Sequence, residues 1–84
     1  MSDEKDLAQE NLKNLPVKVG QKYTHFKGGE YEIVAVGIKE YTLEPMVVYR
    51  SDLKGSTWIR TIENFTETVD RDGKTHKRFQ LIIS

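Results

Sequence analysis

The feature that most constrains this chain is a change of sequence texture at Pro16. Before it, residues 3–14 are good helix formers with acidic side chains in the first turn, where the helix dipole favours them. After it, short runs rich in Val, Ile, Thr and Tyr alternate with Gly and Pro, a pattern typical of a small all-β domain. The predicted strands lie near residues 21–26, 31–39, 45–51, 56–60, 66–70 and 75–83, with a single helical turn at 61–65.

The strand predicted at 31–39 favours a closed barrel. Its apolar run from Ile33 to Val36 has no polar alternation, so both faces are expected to be buried. Eighty-four residues make one domain, and at this size a small barrel with a covering segment buries both faces of a strand. We therefore predict a single small β-barrel domain of five to six strands over 17–84, preceded by a helical or flexible extension over 1–16.

The glycine pair Gly28 and Gly29 predicts the turn of the first hairpin. With these two residues as the whole loop, His25 faces Glu32 across the strands, and the neighbouring aromatic side chains face the core. An opposite-charge pair of this kind is ordinary in a sheet. His25 is therefore expected to be a paired strand residue rather than a metal ligand.

The last hairpin allows two registers. A two-residue turn at Asp72 and Gly73 would place Phe65 and Phe79 on opposite faces, whereas a three-residue loop that begins at Arg71 places them opposite each other. Because only the second register brings the large apolar side chains together, the three-residue loop is predicted.

Composition excludes several classes of function. The chain has 13 Lys and Arg against 13 Asp and Glu, and this balance disfavours a broad nucleic-acid surface. It has no cysteine, which excludes disulfides and thiolate chemistry. The acidic N-terminal segment lacks the apolar core of a secretion signal, and the longest apolar run is far too short to span a bilayer. A cytoplasmic protein without membrane association is expected.

The residues that usually carry catalysis or bind metals form no motif. His25 and His76 lie far apart in the sequence and lack the spacing of metal ligands. His25 with Ser51 or Ser56 and an acid can be drawn as a triad, but nothing in the sequence brings these residues together. We predict no metal, no cofactor and no enzymatic activity, and a small enzyme using His25 is the least favoured alternative.

A basic and aromatic surface is the strongest candidate for binding. Trp58 and Arg60 alternate with their neighbours and so share one face of a strand, while Tyr49 and Arg50 end the preceding strand. A tryptophan beside arginines can stack on a planar or cationic group or hold an anion. The candidate ligand-binding residues are His25, Lys27, Tyr49, Arg50, Trp58 and Arg60.

A purely structural role for the same residues is also possible. Small domains need their large aromatic side chains inside, so Trp58 alone is predicted to be core rather than site. Tyr49 is open to the same interpretation, and the arginines would then pair with Glu44 or Glu67.

Several motifs together resemble a bacterial family of short proteins known only as a domain of unknown function. The similarity covers about residues 23–79, with the motifs in order. It lies at Tyr23, His25-Phe26-Lys27-Gly28, Tyr31, Thr42-Leu43-Glu44-Pro45, Val47-Val48-Tyr49-Arg50, Trp58, Arg60, Phe65, Glu67-Thr68-Val69, Gly73 and Arg78-Phe79. The resemblance implies an SH3-like barrel and no particular activity.

We therefore predict a non-enzymatic binding or interaction module for a small ligand, a peptide or a protein partner. A peptide would be able to add a strand to an exposed sheet edge. The alternative is a single-stranded nucleic-acid-binding domain in which bases stack on an OB-like or SH3-like face, and it is not favoured. The sequence carries no signal for an oligomeric state.

Overall fold

A computed structural model describes residues 3–83 and shows a mostly β domain, as predicted. Within that range there are two helices and seven strands. They are α1 (Asp3–Lys13), β1 (Lys22–His25), β2 (Glu30–Ile38), β3 (Pro45–Ser51), β4 (Thr57–Thr61), α2 (Ile62–Thr66), β5 (Thr68–Arg71), β6 (Lys74–Lys77) and β7 (Phe79–Leu81). The predicted strand positions are confirmed to within a few residues, although the last predicted segment, 75–83, contains two separate strands.

Both predicted helical segments are present. Helix α1 ends before Pro16 and contacts β2. Helix α2 begins directly after β4, where the side-chain oxygen of Thr61 accepts a hydrogen bond of 3.0 Å from the backbone N–H of Asn64. This N-cap satisfies a backbone donor that the first helical turn leaves free, so a helix of one turn is stable at this position.

Five strands form an antiparallel sheet in the order β4-β3-β2-β1-β7, and β5 and β6 form a separate hairpin. The pairing found among residues 3–83 does not join β4 to β7, so the closed SH3-like barrel stays a prediction. The sheet is nevertheless strongly curled. Arg60 on β4 lies 5.8 Å from the ring centre of Phe79 on β7, although these strands are at opposite ends of the row.

A bulge in β2 accounts for part of the continuous apolar run. The pairing with β3 shifts by one residue between Ile33 and Ala35, which leaves Val34 as the extra residue. Ile33 is fully buried and Val36 packs against the same core, despite their odd spacing. The remaining residues of the strand are half-buried, apart from the exposed Glu30 at its start. Part of the apolar run therefore arises because the bulge reverses the face to which the following side chains point, and part because both faces of β2 are partly covered.

The core lies on the concave face of the sheet, beneath α2. Its central feature is the pair Phe65 and Phe79, whose rings stack at 4.1 Å with an angle of 9° between their planes. Phe65 also meets Tyr23 and Tyr49 edge to face, at 5.1 and 5.4 Å. The buried apolar residues are Val17, Tyr23, Ile33, Val47, Tyr49, Ile62, Phe65 and Phe79.

The predicted register of the first hairpin is wrong. Tyr23 lies opposite Tyr31, and the loop is the three residues 26–28, because the backbone N–H of His25 donates a hydrogen bond of 3.0 Å to the carbonyl of Gly29. The predicted pairing of His25 with Glu32 is therefore absent, and His25 lies on the same face of the sheet as Tyr23. An error of an odd number of residues moves every side chain of one strand to the other face.

A contact distant in sequence explains this register. The backbone N–H of Phe26 donates a hydrogen bond of 3.0 Å to the carbonyl of Arg78, which draws Phe26 out of the ladder with β2. Gly28 and Gly29 have φ angles of 105° and 93°, which side chains with a Cβ rarely adopt. The glycines therefore complete a longer loop that the C-terminal segment holds in place.

The predicted three-residue loop of the last hairpin is also wrong. Arg71 lies opposite Lys74, so the loop is the two residues 72–73, with φ angles of 55° and 75°. This is the geometry that an Asp-Gly turn favours between antiparallel strands. Phe65 and Phe79 still meet, but they do so because one lies on α2 and the other on β7, outside this hairpin.

Candidate functional site

A small open cavity lies on the concave face of the sheet where the core reaches solvent. Its volume is about 190 Å³. We call it the aromatic–arginine pocket, and its lining residues are His25, Tyr31, Tyr49, Trp58, Arg60 and Phe79. Four of the six residues proposed from the sequence line it, namely His25, Tyr49, Trp58 and Arg60.

Strand β4 places Trp58 and Arg60 at the mouth of this pocket. The two residues lie opposite Tyr49 and Val47 on β3, which are both buried, so all four side chains share the concave face. Because β4 ends the row of strands, its side chains extend beyond the core. Trp58 is 55% exposed, so the prediction that it is a core residue is wrong, whereas Tyr49, at 4%, does belong to the core.

Arg60 is held in place by neutral partners. Its Nε donates a hydrogen bond of 2.8 Å to the hydroxyl of Tyr49, and its Nη1 donates to the side-chain oxygen of Asn64. Among the side chains that the structure describes, no carboxylate forms an ion pair with it. The pairing with Glu44 or Glu67 that a purely structural role predicted is absent. The guanidinium therefore keeps its full charge and unused N–H donors within the pocket.

His25 contributes a neutral imidazole to the opposite wall. Its ring packs 4.9 Å from that of Phe79, and its Nδ1 accepts a hydrogen bond of 3.1 Å from the backbone N–H of Lys27. Burial lowers the pKa of His25, and the nearby charges of Arg60, Arg78 and Lys27 lower it further. At neutral pH the proton therefore lies on Nε2, which is free to act as a donor.

The other two predicted site residues lie elsewhere. Lys27 belongs to the loop of the first hairpin, with its Nζ 5.7 Å from the ring centre of Phe26. Arg50 follows Tyr49 and so points to the opposite face of the sheet, where it pairs with Glu32 at 3.4 Å. The basic side chains of the predicted surface are therefore divided between a loop and two faces.

Sequence reasoning missed three residues at or beside the pocket. Tyr31 and Phe79 complete its aromatic walls, and Asn64 orients Arg60 from α2. A three-residue loop at 26–28 in the first hairpin would have placed Tyr31 on the same face as His25. No comparable local signal identifies Phe79 or Asn64, because their contacts with β1 and β4 depend on the curl of the sheet.

The described residues around His25 form no catalytic or metal-binding constellation. Ser51 accepts a hydrogen bond of 3.1 Å from the backbone N–H of Lys54, Ser56 accepts one of 3.1 Å from the indole of Trp58, and neither serine bonds to His25. Among the side chains that the structure describes, no three His, Asp or Glu cluster as metal ligands would. The helices in that range are too short and too polar to cross a membrane.

Comparison with known proteins gives a family and a structural neighbour. Residues 21–81 match the family described as "Protein of unknown function (DUF1653)", which confirms the resemblance to a family of unknown function. A crystal structure of a DUF1653 protein from Bordetella bronchiseptica is similar, with 26% sequence identity and a TM-score of 0.69 over 80% of this chain and 88% of that one. A search among curated proteins returns no match.

Proposed function

The chain belongs to the DUF1653 family, and since that family's description states no activity, we propose a function from the pocket itself. The protein is a non-enzymatic binding module. Its aromatic–arginine pocket takes a small ligand, or a side chain of a peptide or protein partner, that combines a planar group with a negative charge.

The observation that carries this proposal is the state of Arg60. A guanidinium that lies partly buried beside aromatic rings, with no carboxylate partner among the described side chains, favours binding of an external anion. Tyr49 and Asn64 use two of its donors to fix its orientation, and the remaining donors stay available. Such preorganisation reduces the entropy that a ligand loses on binding.

The aromatic walls supply the second half of the recognition. Trp58 is half-exposed at the mouth and presents a ring on which a planar group can stack. Tyr31, Tyr49 and Phe79 meet edge to face at 5.2–5.7 Å and form a rigid floor. A volume of about 190 Å³ suits one ring or one side chain rather than an extended chain of groups.

The neutral state of His25 agrees with an anionic ligand that also accepts a hydrogen bond. A neutral imidazole donates through Nε2 without adding a second full charge to the pocket. Charge recognition then depends on Arg60 alone, which favours a monoanion such as a carboxylate.

Single-stranded nucleic acid is the second candidate, and the division of the cations counts against it. A nucleic-acid track needs several Lys and Arg along one surface to contact successive phosphates. Arg50 pairs with Glu32 on the far face, so it contributes no charge to the pocket side. The salt dependence of binding separates the two candidates.

The experiment uses Trp58, the single tryptophan of the chain, as a fluorescent reporter. The protein is titrated with benzoate and with benzamide, two planar probes of similar shape of which only benzoate carries a charge. We expect saturable quenching with benzoate that is about tenfold tighter than with benzamide, which corresponds to roughly 1.4 kcal/mol. Equal affinities would contradict the role of Arg60.

The matched control compares two arginine variants. Arg60→Ala should abolish the preference for benzoate, while Arg50→Ala removes the same side chain from an ion pair on the far face and should leave the preference intact. Titration with a short oligothymidylate at two salt concentrations follows. Tighter binding of the oligonucleotide than of benzoate, with a steep loss at high salt, would favour the nucleic-acid function instead.

A further inference from the structure

The outer edge of β4 presents backbone groups that pair with nothing among residues 3–83. The backbone N–H of Ser51 donates 2.9 Å to the carbonyl of Ser56, which sets the alternation of the antiparallel ladder between β3 and β4. By that alternation the backbone groups of Trp58 and Arg60 form hydrogen bonds with β3. Thr57, Ile59 and Thr61 therefore direct their N–H groups outward, and so do the carbonyls of Thr57 and Ile59.

Strand β4 lacks the features that usually protect a sheet edge. Such edges carry outward charges, prolines or bulges, or are very short. At the other end of the row, β7 has only three residues. In β4 the one charged side chain, Arg60, is turned inward to Tyr49 and Asn64. Ile59 is 64% exposed and Trp58 55%, on the two faces of the same edge strand.

We propose that β4 pairs with β4 of a second copy of this chain, antiparallel and about a two-fold axis at Ile59. The outward groups of Ile59 in the two copies then bond to each other, and the N–H of Thr61 in each copy meets the carbonyl of Thr57 in the other. On the convex face Ile59 packs on Ile59. On the concave face Trp58 of each copy lies beside Arg60 of the other, a favourable cation–π pair.

The strand's own sequence favours this partner and this register. A register centred on Arg60 would place two guanidinium groups directly opposite each other, which is unfavourable. A register centred on Trp58 would leave the outward N–H of Thr61 without a partner. The chain has a formal net charge of zero at pH 7, so two copies approach each other without net repulsion.

Self-pairing goes beyond the binding function of the pocket and is tested separately from it. Sedimentation velocity of the full chain over about 10 µM to 1 mM should show a weak dimer, because a pair of short strands buries less area than a standard interface. Ile59→Lys places two charges at the two-fold axis and should keep the protein monomeric. Leu53→Lys changes an exposed apolar residue of the β3–β4 loop in the same way and should dimerise like the wild type.

Disulfide cross-linking of introduced cysteines tests the register of the proposed β4–β4 pair. The chain has no cysteine, and the Cα atoms of directly opposed residues in such a pair lie about 5.5 Å apart, within disulfide range. Under mild oxidation Ile59→Cys should form about tenfold more disulfide dimer than Leu53→Cys, whose thiol meets its copy only by collision. This result holds even if Ile59→Lys fails to fold.

Three outcomes overturn the proposal. The first is a wild-type protein that stays monomeric throughout the concentration range. The second is a folded Ile59→Lys variant that dimerises as the wild type does. The third is equal cross-linking of the two cysteine variants, since a dimer formed elsewhere gives no advantage to position 59.

Discussion

Two aromatic residues of this protein have opposite surroundings although strand β4, which carries one, leads directly into helix α2, which carries the other. Phe65 is 1% exposed and stacks on Phe79, whereas Trp58 is 55% exposed at the mouth of the pocket. Both lie close to Tyr49, which packs against Phe65 and faces Trp58 across the ladder. The difference is coverage, because α2 carries Phe65 over the core and no described element covers the edge of β4.

Two arginines, Arg78 and Arg60, show a similar contrast in how their charges are compensated. Arg78 pairs with Glu67 at 2.7 Å, so its charge is compensated within the fold. Among the described side chains Arg60 has only neutral partners, although it lies at a similar depth, half-buried. Residue type therefore does not separate the core from the pocket. What separates the core from the pocket is the position along the row of strands, since side chains of the concave face reach solvent at the edge strand.

The largest loss of stability should come from removing the buried ring of Phe65. Phe65→Ala leaves a cavity above Phe79 and should lower the free energy of unfolding by about 3–5 kcal/mol, measured by urea unfolding followed by circular dichroism. Tyr41→Ala, at a position 94% exposed, is the control and should change stability by no more than about 0.5 kcal/mol. Equal losses would remove the distinction between core and surface rings.

A substitution at Thr61, where β4 meets α2, should have an intermediate effect on the free energy of unfolding. Thr61 ends β4 and caps α2, so Thr61→Ala should cost about 1 kcal/mol by loosening the helix that holds Phe65. Thr57→Ala, on the exposed part of the same strand, should cost less than about 0.5 kcal/mol. If Thr57→Ala lowers the free energy of unfolding as much as Thr61→Ala does, the loss at Thr61 cannot be assigned to the cap of α2.

The exposed ring should matter little for stability. Trp58→Ala should lower the free energy of unfolding by about 1 kcal/mol or less, because over half of the residue is already in contact with solvent. Binding of benzoate, followed by calorimetry because the fluorophore is gone, should be lost. If the fold instead loses as much stability as with Phe65→Ala, Trp58 belongs to the core and the pocket is not a site.

The smallest effect is a shift in proton binding at His25. Its pKa, followed by NMR in a His76→Gln background, should lie below the ordinary histidine value, first because of burial and then because of Arg60. Arg60→Gln should raise this pKa toward the ordinary value, and Arg50→Gln, on the far face, should leave it unchanged. Identical shifts in the two variants would mean that Arg60 and His25 do not share a pocket.

The same lowered pKa predicts how stability depends on pH. Between the lowered and the ordinary pKa, the unfolded chain binds a proton on His25 that the folded protein does not. The contribution of His25 to stability is therefore present above the ordinary pKa and is lost as the pH falls through that window. Urea unfolding of the wild type and of His25→Gln should show a steeper loss toward acid pH for the wild type.

Interactions within a few residues were predictable from the sequence. The helix before Pro16, the strand positions and the helical turn after β4 all follow from local propensity and capping. The alternation that places Trp58 and Arg60 on one face is equally local. These predictions are confirmed because they need no knowledge of what packs against the segment.

Both hairpin registers failed for a physical reason. The sequence argument paired side chains within each hairpin, whereas the real partners come from elsewhere in the chain. Phe26 bonds to Arg78, and Phe65 reaches Phe79 from α2. In the first hairpin the distant contact outweighs the preference of the turn for a two-residue loop. In the last hairpin Phe65 and Phe79 meet outside the hairpin, so the Asp-Gly turn is free to set the register.

The chain's own sequence determined a small β domain with one short helix before it, a mixed basic and aromatic stretch around Trp58, and membership of a family of unknown function. Only the tertiary structure decided that His25 faces Phe79, that Arg60 meets Tyr49 and Asn64 rather than any carboxylate among the described side chains, and that Trp58 is open to solvent. The reason is that burial and charge compensation depend on residues far apart in the chain, which the curl of the sheet brings together.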